Sequence, residues 1–168
     1  VQGAEWIYNK IGGEGQVAMI NYIQDLFHTN QRTFGALAAA EEYPGIEIVE
    51  QQSHDGTTEN CAEIADAFII KYPDLDGIWT VWDMPGMAAV GAVENANKQD
   101  QIKVVSIDMA EDIGENIASG GACIGLTAQH PYDQGVAEAL VGIAAALDLN
   151  PPKYIMVPGE LVEKTDVE

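Results

Sequence analysis

The sequence predicts an α/β protein built as a three-layer, doubly wound, mainly parallel sheet with helices on both faces. Three observations carry this. Short apolar runs alternate with helix-like stretches of about 10–15 residues, the signature of βαβ units. The runs are apolar throughout instead of alternating, as in strands covered on both faces. With 168 residues, 47% of them hydrophobic, the chain suits one domain or one lobe of a larger protein.

The elements follow in order. Ala4 to Ile11 reads as a helix that ends at Gly12-Gly13, and Val17 to Ile20 as a strand. Gln31 to Glu42 is helical until Tyr43-Pro44-Gly45 stops it, and Ile46 to Val49 is a strand. Cys61, Ile64, Ala65, Phe68 and Ile69 repeat at helical spacing, with Asp55 or Thr57 as cap and Tyr72-Pro73 as stop. Ile78 to Val81 is a strand and Pro85 to Ala96 a helix. Ile102 to Ile107 is a strand, Asp112 to Ala118 a short helix, and Ala122 to Ala128 a strand entered through Gly120-Gly121. Tyr132 to Leu147 is a long helix, and Tyr154 to Val157 a strand after Pro151-Pro152.

Composition excludes several classes. A net charge of −20 repels phosphate backbones, so no nucleic-acid partner is expected. No apolar run approaches the ~20 residues of a membrane span. Cys61 and Cys123 both read as small core residues. His28, His54 and His130 lie far apart, so no metal is expected, and they read as surface or satisfied residues. The start, VQGAEWIYNK, has no signal region and no initiating Met. It reads as the inside of an amphipathic helix, so the chain is expected to be cut from something longer.

In an open parallel sheet, ligands bind beyond the carboxyl ends of the strands. The residues there are Asn21-Tyr22, Gln51 to Asp55, Trp82-Asp83, Asp108 and Gln129-His130. No nucleophile elbow and no phosphate-cradling loop with Lys occurs, so neither an enzyme nor a cofactor is expected. Carboxylates, amides and aromatics together suit a neutral polyol: they accept from hydroxyls, donate to them and cover a C–H face. Asp83 reads first as a helix cap and second as a ligand contact, and Trp82 equally as core. Tyr22, Asn30 and Arg32 are open between structural and ligand contacts.

Four stretches carry a resemblance: "NQRTFGALAAAEEYPGIEIV", "YPDLDGIWTVWDMPGMAAVGAV", "IKVVSIDMAEDIGENIASGGACIGLTAQHPYDQG" and "VPGELVEKTDVE". In this order they resemble the second, C-terminal lobe of periplasmic sugar-binding proteins of the ribose-binding type, the solute receptors of ABC importers with a type I periplasmic-binding fold. The resemblance implies a ligand-binding lobe over residues 1–129. It implies a helix and strand over 130–158 that pack on an N-terminal lobe outside this chain, and a return segment over 159–168. It implies a sugar or polyol ligand, an ABC transporter permease as partner, and a periplasmic or extracellular location, free or lipid-anchored in the full-length protein. Asp108 matches an aspartate that grips hydroxyls and Gln129 a glutamine near the hinge. Trp82 stands where an asparagine ligand is usual and Asn30 where an arginine is usual, which implies a sugar other than ribose. The expected ligand-binding set is therefore Asn30, Trp82, Asp83, Asp108 and Gln129. The same fold serves the effector-sensing domains of lactose-repressor-type regulators, the alternative reading.

The stretch GVAEALVGIAAALDL, residues 135–149, is apolar almost all round and should be buried on more than one side. The chain alone is therefore expected to form a homodimer through residues 132–157, to exchange that segment, or to fold it back onto its own sheet.

Overall fold

The structure, a computed structural model, describes residues 1–167. The elements run α1 (Gln2–Lys10), β1 (Glu14–Tyr22), α2 (Phe27–Glu41), β2 (Gly45–His54), α3 (Thr58–Lys71), β3 (Leu75–Thr80), α4 (Asp83–Asn95), β4 (Lys103–Ile107), α5 (Glu111–Ser119), β5 (Cys123–Ala128), α6 (Pro131–Ala146) and β6 (Glu160–Glu163). One six-stranded sheet has the order β2-β1-β3-β4-β5-β6. Neighbours among β1 to β5 pair parallel, and β6 adds antiparallel to β5.

The apolar runs serve two cores at once, because successive strand residues point to opposite faces. Ala18, Ile20, Ile78 and Val104 meet Ile64, Ala65 and Phe68 of α3, Ala89, Val90 and Val93 of α4, and Ile113 and Ile117 of α5. Val17, Met19, Trp79, Val81 and Val105 meet Ala4, Ile7 and Tyr8 of α1 and Ala36 and Ala39 of α2. This is the three-layer arrangement that the sequence implies. Thr57 caps α3, its side chain accepting from the Asn60 amide, and α5 stops at Gly120, whose φ of 77° suits a residue without a Cβ. Cys61 and Cys123 are buried free thiols.

Two boundaries differ in ways that bear on the site. Helix α2 begins at Phe27, four residues before the expected Gln31. Its cap position is Leu26, which offers no side-chain acceptor, so no polar signal marks the start. Strand β2 continues past Val49 to His54, carrying its end to the level of the β1 end, where Tyr22 pairs with His54.

The last segment corrects the expectation of a strand over Tyr154 to Val157. Those residues are irregular and run beside α6, and the strand forms instead at Glu160–Glu163, opposite Gly125–Ala128. Strand pairing needs a neighbouring edge, and in this chain the free edge of β5 meets 160–163. Folding back onto the sheet is also not what α6 does. Each of its residues is at least partly exposed, including Val136, Leu140, Ile143 and Leu147 along one side of it and just past its end.

Two outcomes follow from the packing and the charge. Phe68, 1% exposed between α3 and the sheet, should cost about 3–5 kcal/mol as Phe68→Ala in urea unfolding. With a net charge of −20, the thermal midpoint should rise as sodium chloride is added, because screening relieves self-repulsion. A midpoint that stays flat or falls would contradict this.

Candidate functional site

Parallel strands bring their carboxyl ends to one side of the sheet. Tyr22 ends β1, His54 ends β2, Trp82 follows β3, Asp108 follows β4 and Gln129 follows β5. Helix α2 adds a residue from above this edge. Thr29, Ala36 and Ala39 are its buried positions, and Arg32, one turn after Thr29, lies on the same side.

Arg32 is the one arginine of the sequence, and it makes a bidentate pair with Asp108. One terminal nitrogen donates to Oδ2 at 2.9 Å and the other to Oδ1 at 3.1 Å. The first also donates to the Val81 carbonyl at 2.9 Å. The side chains are 16% and 28% exposed, so the pair is only partly screened by water. Planar fork-to-fork geometry of this kind is specific to Arg. Asp108 holds φ at 70°, a left-handed conformation uncommon for a residue with a Cβ. Its amide donates to the Thr127 carbonyl at 2.9 Å, which fixes that turn.

Gln129 Nε2 also donates to Asp108 Oδ1, in a short contact, and Gln129 Oε1 accepts from Gln134 Nε2 at 3.0 Å. A continuous polar chain thus runs from Arg32 through Asp108 and Gln129 to the first turns of α6. Beneath Trp82, the buried Thr80 hydroxyl donates to Ser106 Oγ at 2.9 Å and Ser106 Oγ donates to the Trp82 carbonyl at 2.7 Å. These bonds pin the backbone that carries the indole. The Trp82 ring stands near edge-on to Tyr22 (4.8 Å, 75°) and to His54 (4.8 Å, 74°), and Tyr22 and His54 lie 5.1 Å apart.

These groups surround an open pocket of about 400 Å³ lined by Tyr22, His28, Arg32, Trp82, Asp108 and Gln129. A second cleft of about 380 Å³ shares Asp108 and Gln129 and continues toward Gln134. A larger cleft of about 640 Å³ lies between α6 and residues 152–157. Its walls mix apolar groups such as Val141, Ile155 and Met156 with Gln134, Glu138 and Lys153.

Of the five residues expected from sequence, the structure brings Trp82, Asp108 and Gln129 into one pocket. Among the described residues, Asn30 and Asp83 stand apart from it. The Asn30 amide donates to Asp25 at 2.5 Å. Asp83 opens α4, accepts from the Met84 amide at 2.9 Å, and borders a different small cleft with Thr58 and Asp112. Arg32, which the sequence left open, supplies the cationic partner, and its uniqueness in an acidic chain was the available signal. Of the three histidines read as surface or satisfied, His28, which lines the pocket, and His130, beside Glu160, reach the surface, whereas His54 is fully buried behind the pocket with Nε2 unpartnered among the described residues.

A model of the periplasmic binding protein domain matches residues 1–148. The chain is 32% identical over 141 residues to the D-ribose/D-allose-binding protein of Pseudomonas aeruginosa, covering 83% of this chain and 41% of that protein. It is 27% identical over 135 residues to the D-allose-binding periplasmic protein of Escherichia coli, covering 80% and 43%. The chain therefore spans less than half the length of these curated relatives. A periplasmic solute binding protein of an ABC transporter from Actinobacillus succinogenes, with bound D-allose, superimposes with a TM-score of 0.92 at 27% identity, covering 99% of this chain and 59% of that one. A solute binding protein from Agrobacterium vitis with bound α-D-tagatopyranose gives 0.91 at 26% identity, covering 99% and 57%. The chain thus belongs to the periplasmic binding protein domain family, and its sheet is that of one lobe of the type I fold.

Proposed function

We propose that this chain is the sugar-binding lobe of an ABC importer's solute receptor, which acts outside the cytoplasmic membrane and delivers its ligand to the importer's permease. The observation that carries this reading is the pocket at the strand ends. There a charge-balanced Arg32–Asp108 pair and the Gln129 amide converge opposite the rings of Tyr22 and Trp82. The pair leaves no net charge for an ionic ligand to neutralise. Asp108 retains acceptor capacity for hydroxyls, Arg32 retains N–H donors, and the rings offer a face for ring C–H groups. The ligands named for the relatives, D-ribose, D-allose and D-tagatose, are all neutral polyhydroxy compounds, which supports the same class here. This is a binding site and not a catalytic one in our reading.

The domain division follows. Residues 1–129 form the ligand lobe. Residues 130–158 pack on a second lobe, a role favoured by the exposed apolar side of α6. Residues 159–168 return to this lobe, as β6 along β5 suggests. By itself the chain offers one wall of a two-walled cleft, so it should bind sugar only weakly or not at all. Its exposed α6 should drive self-association through residues 132–157, more so at high salt.

The reading is tested by following amide shifts while D-ribose or D-allose is added. Shifts should cluster at Tyr22, Arg32, Trp82, Asp108 and Gln129. In the full two-lobed protein Asp108→Asn should weaken binding by about 1.5–3 kcal/mol, the worth of a hydrogen bond to a charged group. Trp82→Ala should weaken it more than Trp82→Phe, because only phenylalanine keeps a ring face. Equal affinity in all these variants would remove the pocket from the account.

A further inference from the structure

His54 has a role that the pocket lining does not reveal. Its ring sits behind Tyr22 and Trp82 with none of its surface exposed. It is the third member of the aromatic cluster, within 4.8 Å of Trp82 and 5.1 Å of Tyr22. Nδ1 accepts a hydrogen bond from the Gly56 amide at 3.0 Å. Gly56 can turn that amide back because it holds φ at 102°, where a Cβ would be strained. An acceptor Nδ1 places the proton of the neutral ring on Nε2. Nε2 is buried and finds no hydrogen-bond partner among the described residues.

We propose that His54 is a positioning residue for this site: a neutral, buried brace that holds the rings of Tyr22 and Trp82 in the pocket wall and releases them when it is protonated. The proposal rests on reading the pocket as a sugar site. Protonation puts a second proton on Nδ1, where it would face the Gly56 N–H, so that bond is lost. It also places a charge where water cannot reach. The attraction of a cation for ring faces offsets only part of this. Few groups oppose the effect. The neighbouring Asp55 carboxylate favours the charged ring, but Thr57 engages it through both its amide (2.9 Å) and its hydroxyl (2.7 Å). Other titratable groups on the packed elements include the Tyr22 phenol, the Asp83 carboxylate beside Trp82, the Cys61 thiol of α3, which burial pushes up to about 11, and His28, Arg32 and Asp108, which line the same pocket as Tyr22 and Trp82. Burial also holds the His54 imidazole below its ordinary value, outweighing Asp55. The sign is then fixed. A group whose folded pKa is depressed stabilises the folded wall above the unfolded value, and that contribution is lost as pH falls from there through the folded pKa.

The test uses nuclear magnetic resonance on this chain from about pH 8 to about pH 5, the range in which histidine titrates, with D-ribose and D-allose as probes. His54 should appear as the Nε2–H tautomer. The Trp82 indole N–H and the Gly56 amide should shift together with its titration, while the Trp79 indole should not. Affinity for the sugars should fall over the same interval. His54→Asn removes the ring and should bind about tenfold more weakly at the upper pH. His54→Phe restores a ring that cannot be protonated, so it should recover affinity relative to His54→Asn and lose the pH dependence. Should His54→Asn fail to fold, His54→Phe and the titration of the unaltered chain decide the matter. Trp82 and Gly56 signals that ignore the His54 titration would overturn the proposal, as would a pH dependence that persists in His54→Phe. If neither sugar binds this one-walled chain at any pH, the coupled resonances decide the brace by themselves, and the sugar reading fails only if the full two-lobed protein also binds no neutral sugar.

Discussion

The site depends on one interaction, the bidentate pair between Arg32 and Asp108. It joins α2 to the end of β4, across 76 residues of sequence, and it sets the character of the pocket. A lone carboxylate at this depth would invite a cation, and a lone guanidinium would invite an acid. Together they present a neutral surface rich in donors and acceptors. The pair also explains the unusual backbone at Asp108. A left-handed conformation there is unfavourable, yet the Thr127 carbonyl, both Arg32 nitrogens and Gln129 hold the residue in place.

The rest of the fold serves to deliver these groups. Two separate apolar cores clamp the sheet, so the strand ends are fixed relative to one another. The aromatic side of the pocket is braced from below by the Thr80–Ser106 hydroxyl pair and from behind by His54. The polar side continues through Gln129 and Gln134 into α6, the helix that buries least. A disturbance of Asp108 therefore has a direct hydrogen-bonded route to the segment read as the junction with a second lobe.

The sheet was legible because its evidence is local. Val17 to Ile20 and Ile102 to Ile107 are apolar throughout, and the α3 stripe from Cys61 to Ile69 repeats at helical spacing. Thr57 was legible as a cap because capping needs only a hydroxyl three residues before an amide. Asp108, Trp82 and Gln129 were legible as neighbours because parallel topology alone brings strand ends together. Arg32 was not, since its reach from α2 to β4 depends on where the first turn of α2 begins, and Leu26 gives that start no polar mark. His54 was hidden for a related reason. A histidine at the end of a polar run, Glu50 to Ser53, reads as exposed until Trp82 and Tyr22 are seen to cover it. The β6 strand was missed because pairing depends on a free edge, and ELVE carries too little apolar pattern to announce itself beside the more apolar Tyr154 to Val157.

The central claim is that the Arg32–Asp108 pair makes the pocket selective for neutral polyhydroxy ligands. Its most direct measurement compares D-ribose with ribose 5-phosphate and ribonate as ligands of this chain, by chemical-shift titration at low ionic strength. The account predicts that D-ribose or a neutral isomer shifts the Arg32, Trp82 and Asp108 signals, and that both anions bind more weakly at the same residues. Tighter binding of either anion through Arg32, with the Asp108 contact broken, would contradict it.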